Sequence, residues 1–229
     1  MLKYIVLTFV VCPILLYSQL ENMDTEVDNK YLEDQVYLGV NYNFMLNYPA
    51  DVLKRNFSYG LQGGVIKDLP INNSRTLALG IGLGYAVNSY YSNLVSVKEN
   101  GAITYTVSDY TGSYNRSKFE THSIELPLEL RWRNSSANEY KFFRIYTGVK
   151  LGYNFSARSK IAADDGNSGF RNTDIEKFQY GLLFNLGYNT FNLHVYYSLN
   201  NFLKKDAVLD TGDAINIKPL RVGVIFYLL

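Results

Sequence analysis

Residues 76–87 read TLALGIGLGYAV, and their two phases decide the fold. Leu77, Leu79, Ile81, Leu83, Tyr85 and Val87 fall on one phase. Ala78, Gly80, Gly82, Gly84 and Ala86 fall on the other. A β-strand turns successive side chains to opposite faces, so one face is wholly apolar and the other nearly bare. A half-buried strand of a soluble sheet carries polar groups on its second face. Here that face is glycine and alanine, as a crowded interior requires. The pattern predicts a strand with lipid on one side and a narrow lumen on the other.

The same alternation recurs along the chain. Val36, Leu38, Val40, Tyr42 and Phe44 oppose Tyr37, Gly39, Asn41 and Asn43. Phe57, Tyr59, Leu61 and Val65 oppose Ser58, Gly60, Gln62 and Gly64. Further runs cover Ser123–Arg133, Phe143–Phe155, Phe178–Tyr188, Phe191–Leu199 and Leu220–Leu228. Each is long enough for the roughly 9–11 residues of a tilted membrane strand. The fold class is therefore all-β, an antiparallel up-and-down transmembrane β-barrel of about eight strands. A secreted β-sandwich shares the strand spacing. It does not share the fully apolar outer faces together with connections that alternate between short and long.

KDLPINNSRT (67–76), NSSANEY (134–140) and Asn189-Thr190 read as short turns. Residues 47–55, 88–118, 157–176 and 200–218 read as long polar loops. This asymmetry is that of an outer-membrane barrel, with both termini on the short-turn side. Within the longest loop, Asn100-Gly101 signals a tight hairpin. Its flanks are expected to extend two wall strands beyond the membrane; counting them as separate wall strands would give ten.

Upstream, Lys3, the apolar stretch Tyr4–Tyr17 and the small residue Ser18 predict a signal peptide over residues 1–18. Residues 19–34 are acidic and aperiodic, a short periplasmic lead-in, and residues 35–229 form the barrel domain. Cys12 is the only cysteine and lies in the signal, so the mature chain is expected to hold no disulfide or thiolate chemistry. With Lys3 removed, 21 basic residues face 21 acidic ones, and nothing suggests nucleic-acid binding. The 21 Tyr and 13 Phe suit aromatic girdles at two membrane surfaces.

The expected lumen side carries a charge cluster: Glu125, Glu129, Arg131, Arg133, Arg144, Lys150 and Arg221. In an eight-stranded barrel the interior is just wide enough for side chains to fill. The cluster is expected to form an internal salt-bridge plug, with Glu129 and Arg131 near Arg144. A selective polar pore is the rival reading. Pro127 also faces inward and is expected to mark a bulge. His122 and Ser123 must point to opposite faces, and His194 faces inward, so no nucleophile–base pair is expected and the chain reads as non-enzymatic. The acidic loop residues Asp164, Asp165, Asp206, Asp210 and Asp213 lack the spacing of a calcium loop. No metal or cofactor site is expected.

Two segments carry a family resemblance. SIELPLELRW (123–132) is similar to a strand of small porin-like and PorT-like outer-membrane β-barrel proteins. Arg221, Gly223, Phe226 and Leu228 resemble the β-signal of such proteins, although the chain ends in Leu rather than an aromatic residue. The resemblance implies insertion by the barrel-assembly machinery, which would recognise an extended terminal strand. It also implies outer-membrane lipids as surroundings and, for PorT-like members, a secretion-system accessory role. The partners expected are those lipids, the assembly machinery and a surface or envelope protein.

Overall fold

In a computed structural model of the chain, the described residues are 35–49, 51–53, 56–108, 114–134, 143–164, 166–188 and 191–228. The signal peptide, the lead-in, Asn189-Thr190 and most of NSSANEY lie outside them. The strands are β1 (Gln35–Leu46), β2 (Tyr59–Pro70), β3 (Leu77–Ser92), β4 (Leu94–Glu99), β5 (Ala102–Val107) and β6 (Tyr114–Arg133). They continue as β7 (Phe143–Ala163), β8 (Gly166–Arg171), β9 (Phe178–Tyr188), β10 (Phe191–Ser198) and β11 (Lys218–Leu228).

Eight of these close a wall in the order β1-β2-β3-β6-β7-β9-β10-β11, with β11 returning to β1. Every neighbour is antiparallel. Closure leaves no free edge in lipid, where each unpaired backbone group would cost several kcal/mol. The long hairpin does not add to the wall. β4 and β5 pair only with each other, and Asn100 and Gly101 (φ +50° and +88°) make the two-residue turn between them. β8 folds back on the upper part of β7, above the point where β9 takes over as its partner.

Lipid-facing positions are mostly apolar and exposed, Ile81 being 47% and Leu83 55% accessible, with Thr147 on β7 and Lys67 on β2 as polar exceptions. Aromatic rings collect near both rims. At the short-turn rim Phe143 meets Tyr188 at 4.8 Å and Phe191 meets Phe226 at 5.4 Å between ring centres. At the long-loop rim Tyr42 meets Phe57 at 5.0 Å and Tyr153 meets Phe178 at 5.1 Å. The span between them suits a bilayer core.

β3, β6 and β7 rise beyond the upper girdle, and there the alternation inverts. On β6, outward Ile124, Leu126 and Leu130 give way to Arg116, Lys118 and Glu120, while inward Glu125 and Glu129 give way to Phe119. A register shift marks the changeover: His122 pairs with Ser156 and Ser123 with Asn154, leaving Phe155 as the extra residue. Pro127 is not the bulge expected. Ile81↔Leu128 and Gly84↔Glu125 keep one register, and the β3–β6 ladder simply lacks pairs between them. Pro127 has no N–H to give there, and the absence of a side chain on Gly82 leaves room for its ring.

The lipid-facing assignment has a direct consequence. Ile81→Arg should destabilise the folded barrel by about 2–4 kcal/mol in bilayer unfolding experiments. Thr106→Arg, on exposed β5, should leave stability within about 0.5 kcal/mol. Equal stability of the two variants would overturn the inside–outside assignment.

Candidate functional site

Among the described residues eight charged side chains are buried on the inward phase, and Asp68, Glu125, Glu129, Arg131, Arg133, Lys150 and Arg221 fall into two tiers. Seven of the eight were expected from the alternation. The eighth, Asp68, stands in the segment read as a turn, but β2 runs on to Pro70 and carries Asp68 inward. The turn is only Ile71–Thr76, where Asn72 Oδ1 accepts from the Leu77 N–H at 3.0 Å.

In the lower tier, near the short-turn rim, Asp68 accepts from both Arg131 and Arg133, the latter at 2.6 Å. Arg131 also lies 3.1 Å from the Glu129 carboxylate and donates to Gln35 Oε1 at 2.8 Å. Its guanidinium stacks over Tyr146 at 4.0 Å and faces Tyr227 at 5.1 Å. Arg131 and Asp68 are fully buried. Gly80 is what admits Arg131, since a Cβ there would lie 2.7 Å from its Cδ.

In the upper tier, Glu125 bridges Lys150 at 2.9 Å and Arg221 at 2.7 Å. Lys150 also donates to Gln62 Oε1 at 2.8 Å. Arg221 stacks over Tyr196 at 4.0 Å. Asn185 extends the lower tier: it contacts Tyr227 at 3.2 Å and Glu129 at 3.5 Å and meets His194 Nδ1 at 2.5 Å. Buried charges require such pairing, because each ion would otherwise lose several kcal/mol of hydration.

Glu129 and Arg131 are expected near Arg144, and the register sets Arg144 on the diagonal from Arg131 rather than directly opposite it. Arg133 stands opposite Arg144, Arg131 opposite Tyr146 and Glu129 opposite Gly148. The acids of Arg131 are Asp68 and Glu129, and Asp68 reaches it from β2, one strand beyond the adjacent β3.

Above the upper tier the lumen is closed by apolar residues from the long loops and from the upper ends of the wall strands. Met45, Val52, Tyr90, Leu94, Tyr105, Phe119, Ile175, Phe202, Leu203, Leu209, Ile215 and Ile217 pack into one cluster. Loops join across the mouth: Asp210 N donates to Tyr105 O at 2.9 Å, and Lys204 N to Asp174 O at 2.8 Å. The Tyr105 hydroxyl contacts Asn172 at 3.2 Å and Asp174 at 3.1 Å, and burial raises its pKa. Between lid and charges lies a cavity of about 20 Å³, bordered by Glu125, Arg221 and Phe202. That is room for about one water.

The histidines lie far from each other in environment. His194 is buried in the lumen; His122 faces outward, its Nδ1 2.6 Å from the Tyr85 hydroxyl, while Ser123 turns inward. Among the described residues no group of three or more His, Cys, Asp or Glu is arranged to hold a metal. Arg221 and Gly223 of the terminal motif face the lumen, and a Cβ on Gly223 would collide with the β1 backbone at Val40 and Asn41. Phe226 and Leu228 face lipid.

Residues 17–204 match the family described as outer membrane protein beta-barrel domain. The chain belongs to that family. It is an integral outer-membrane barrel. No curated protein matches it. Among solved structures it is similar to Ail, the attachment invasion locus protein of Yersinia pestis, at 12% identity and a TM-score of 0.38. That match covers 85% of this chain and 97% of the other.

Two measurements probe these ion pairs. Asp68→Ala leaves Arg131 and Arg133 buried without their shared acid and should cost about 3–5 kcal/mol in equilibrium unfolding. A loss no greater than that of Lys205→Ala would mean the lower tier does not hold the barrel together. Beyond the membrane band, burial alone would raise the Glu120 carboxyl, but hydrogen bonds and charge from Lys118 and Lys160 hold it at about 2. Its stabilising contribution is full above its ordinary pKa of 4.5 and is lost as pH falls towards 2. The stability gap between the wild type and Glu120→Gln should therefore be present at neutral pH and close across that acid window.

Proposed function

We propose that this barrel does not conduct solutes and works through the structured surface of its long loops, as a binding or envelope-organising protein. The long-loop rim faces outward and the N-terminus lies in the periplasm. The observation that carries the reading is the doubly closed lumen. Two tiers of paired charges fill the lumen below and an apolar lid fills the mouth, with a cavity of about 20 Å³ between the upper tier and the lid. A hydrated ion needs a continuous water path, and a space for about one water is not a path.

The lid supports the binding half of the reading. Loops serving only as solvated connections do not bury Leu94, Tyr105, Leu203 and Ile217 almost completely. Here a fixed platform presents its polar outer residues to a partner at low ordering cost. A surface or envelope protein is the kind of partner proposed, and a PorT-like secretion accessory is one form of it. No catalytic role is proposed: His194 is buried in the lumen with its Nδ1 on Asn185. For biogenesis, β11 is the strand proposed to engage the barrel-assembly machinery before it closes on β1.

Planar-bilayer recording decides between this reading and a small porin. The purified barrel should show no stable conductance steps, and deletion of residues 200–215 should still leave the charge tiers closed. Regular ion steps from the intact chain would sink the packed-lumen reading. Crosslinking in intact cells should capture envelope proteins through the exposed polar residues of the long loops; capture of none would remove the partner role.

A further inference from the structure

The outer face of β6, β7 and β8, just beyond the membrane band, opposes like charges across its ladder. Lys118 stands opposite Lys160, and Arg158 stands opposite Arg171. Arg116 lies on the same outward phase. Like charges directly opposite each other destabilise a sheet. Glu120 relieves the first pair, at 2.7 Å from Lys118 and 2.8 Å from Lys160. It is the one carboxylate on the outward phase of these three segments among the described residues. Glu120 also stands opposite Arg158 on the β6–β7 ladder, but its carboxylate oxygens lie on Lys118 and Lys160, so the exposed Arg158–Arg171 pair is only partly relieved.

This face continues directly into the lipid-facing wall. Immediately below lies an aromatic shelf of Tyr85, His122 and Phe155, with Tyr85 and Phe155 stacked at 6.1 Å and His122 and Phe155 at 6.3 Å. Below that come Ile124 and Leu126, in the membrane band. A molecule lying along the wall would meet hydrocarbon, then an aromatic interface, then cations. That is the polarity sequence of a lipid with an anionic headgroup. Guanidinium pairs bind phosphate bidentately and add geometry to charge.

We propose that the β6–β7–β8 face is a binding site for the phosphate of a membrane lipid. Arg158 and Arg171 clamp the phosphate, Arg116 and Lys160 supply further positive charge, and the Tyr85–His122–Phe155 shelf seats the interfacial part. The lipid relieves the arginine opposition that Glu120, drawn to the two lysines, compensates only in part. The site is independent of any partner of the lid, and it tolerates either orientation of the barrel, since both leaflets carry phosphate.

The test uses the full chain folded in detergent, with heat-modifiable gel mobility as the check on folding. Short-chain phosphatidic acid, short-chain phosphatidylcholine and inorganic phosphate are titrated separately, with binding read by native mass spectrometry. The wild type should bind phosphatidic acid at least about tenfold more tightly than phosphatidylcholine. Arg158→Ala with Arg171→Ala should abolish that preference, and the corresponding Lys substitutions should keep only part of it. Lys204→Ala with Lys205→Ala, on a loop, should leave it unchanged. Should the double Ala variant fail to fold, Arg171→Ala on the exposed β8 should still weaken the preference. Equal binding of the two lipids by the wild type would overturn the proposal. So would a preference that survives loss of the arginines. Inorganic phosphate displacing phosphatidic acid at equal concentration would replace the lipid by a free phosphate and overturn the lipid assignment.

Discussion

The contact between Asp68 and Arg131 is the interaction on which the rest of the barrel depends. Closing eight strands creates an interior too narrow to hold much water and too polar to be left unpaired. Arg131 reaches into that space from β6 and meets a carboxylate from β2, with the β3 glycine–alanine face lying between those strands. The pairing therefore fixes strands that are not neighbours. It also explains why β3 is bare: side chains on Gly80 and Gly82 would occupy the room that Arg131 and Pro127 use. The segment that reveals the fold is the space left for the segment that fills it.

The charged lumen and the apolar lid are two solutions to one geometrical problem, divided by the membrane surface. Within the bilayer the outward face must be apolar, so the inward face holds the polar groups. Above it the outward face meets water, so the inward face becomes the place to bury Phe119, Tyr90 and Ile161. The inversion occurs near the β6–β7 register shift, at His122 and Phe155. A bulge turns the strand locally, which suits the point where the wall stops facing lipid and begins to support a lid.

The alternation of residues 76–87, 123–133 and 143–155 made the wall legible without coordinates, because period two is the geometry of a strand and not a statistical preference. It located seven of the lumen charges on the correct face. It missed Asp68 because Pro70 and Asn72-Asn73 gave a turn signal that outweighed phase. Yet Leu61, Val65 and Leu69 share one phase, and following it past Lys67 would have put Asp68 inside. The pairing of Arg131 was not legible in the same way. Which acid meets which cation depends on register and on contacts across the lumen, and both follow from closure as a whole. The lid was hidden for a different reason. Leu94, Leu203, Leu209 and Ile217 are scattered among polar residues with no common period, and only their meeting over the mouth makes them a core.

A polar lumen also solves a problem that precedes insertion. An eight-stranded barrel filled with leucine and valine would need strands that are apolar on both faces. Each would be a continuous run of high β-propensity and low charge, the kind of segment that stacks into aggregates before reaching a membrane. Placing Glu125, Glu129, Arg131 and Arg133, with Pro127, on the inward phase interrupts that run within SIELPLELRWR itself. The same charges that impede stacking in the extended chain become the paired filling once the barrel closes. Arginine suits both states, since its guanidinium keeps its charge in water and, inside, stacks on Tyr146 while meeting a carboxylate. A conducting pore would need those charges apart. Here the requirement for a soluble unfolded chain and a filled folded one draws them together.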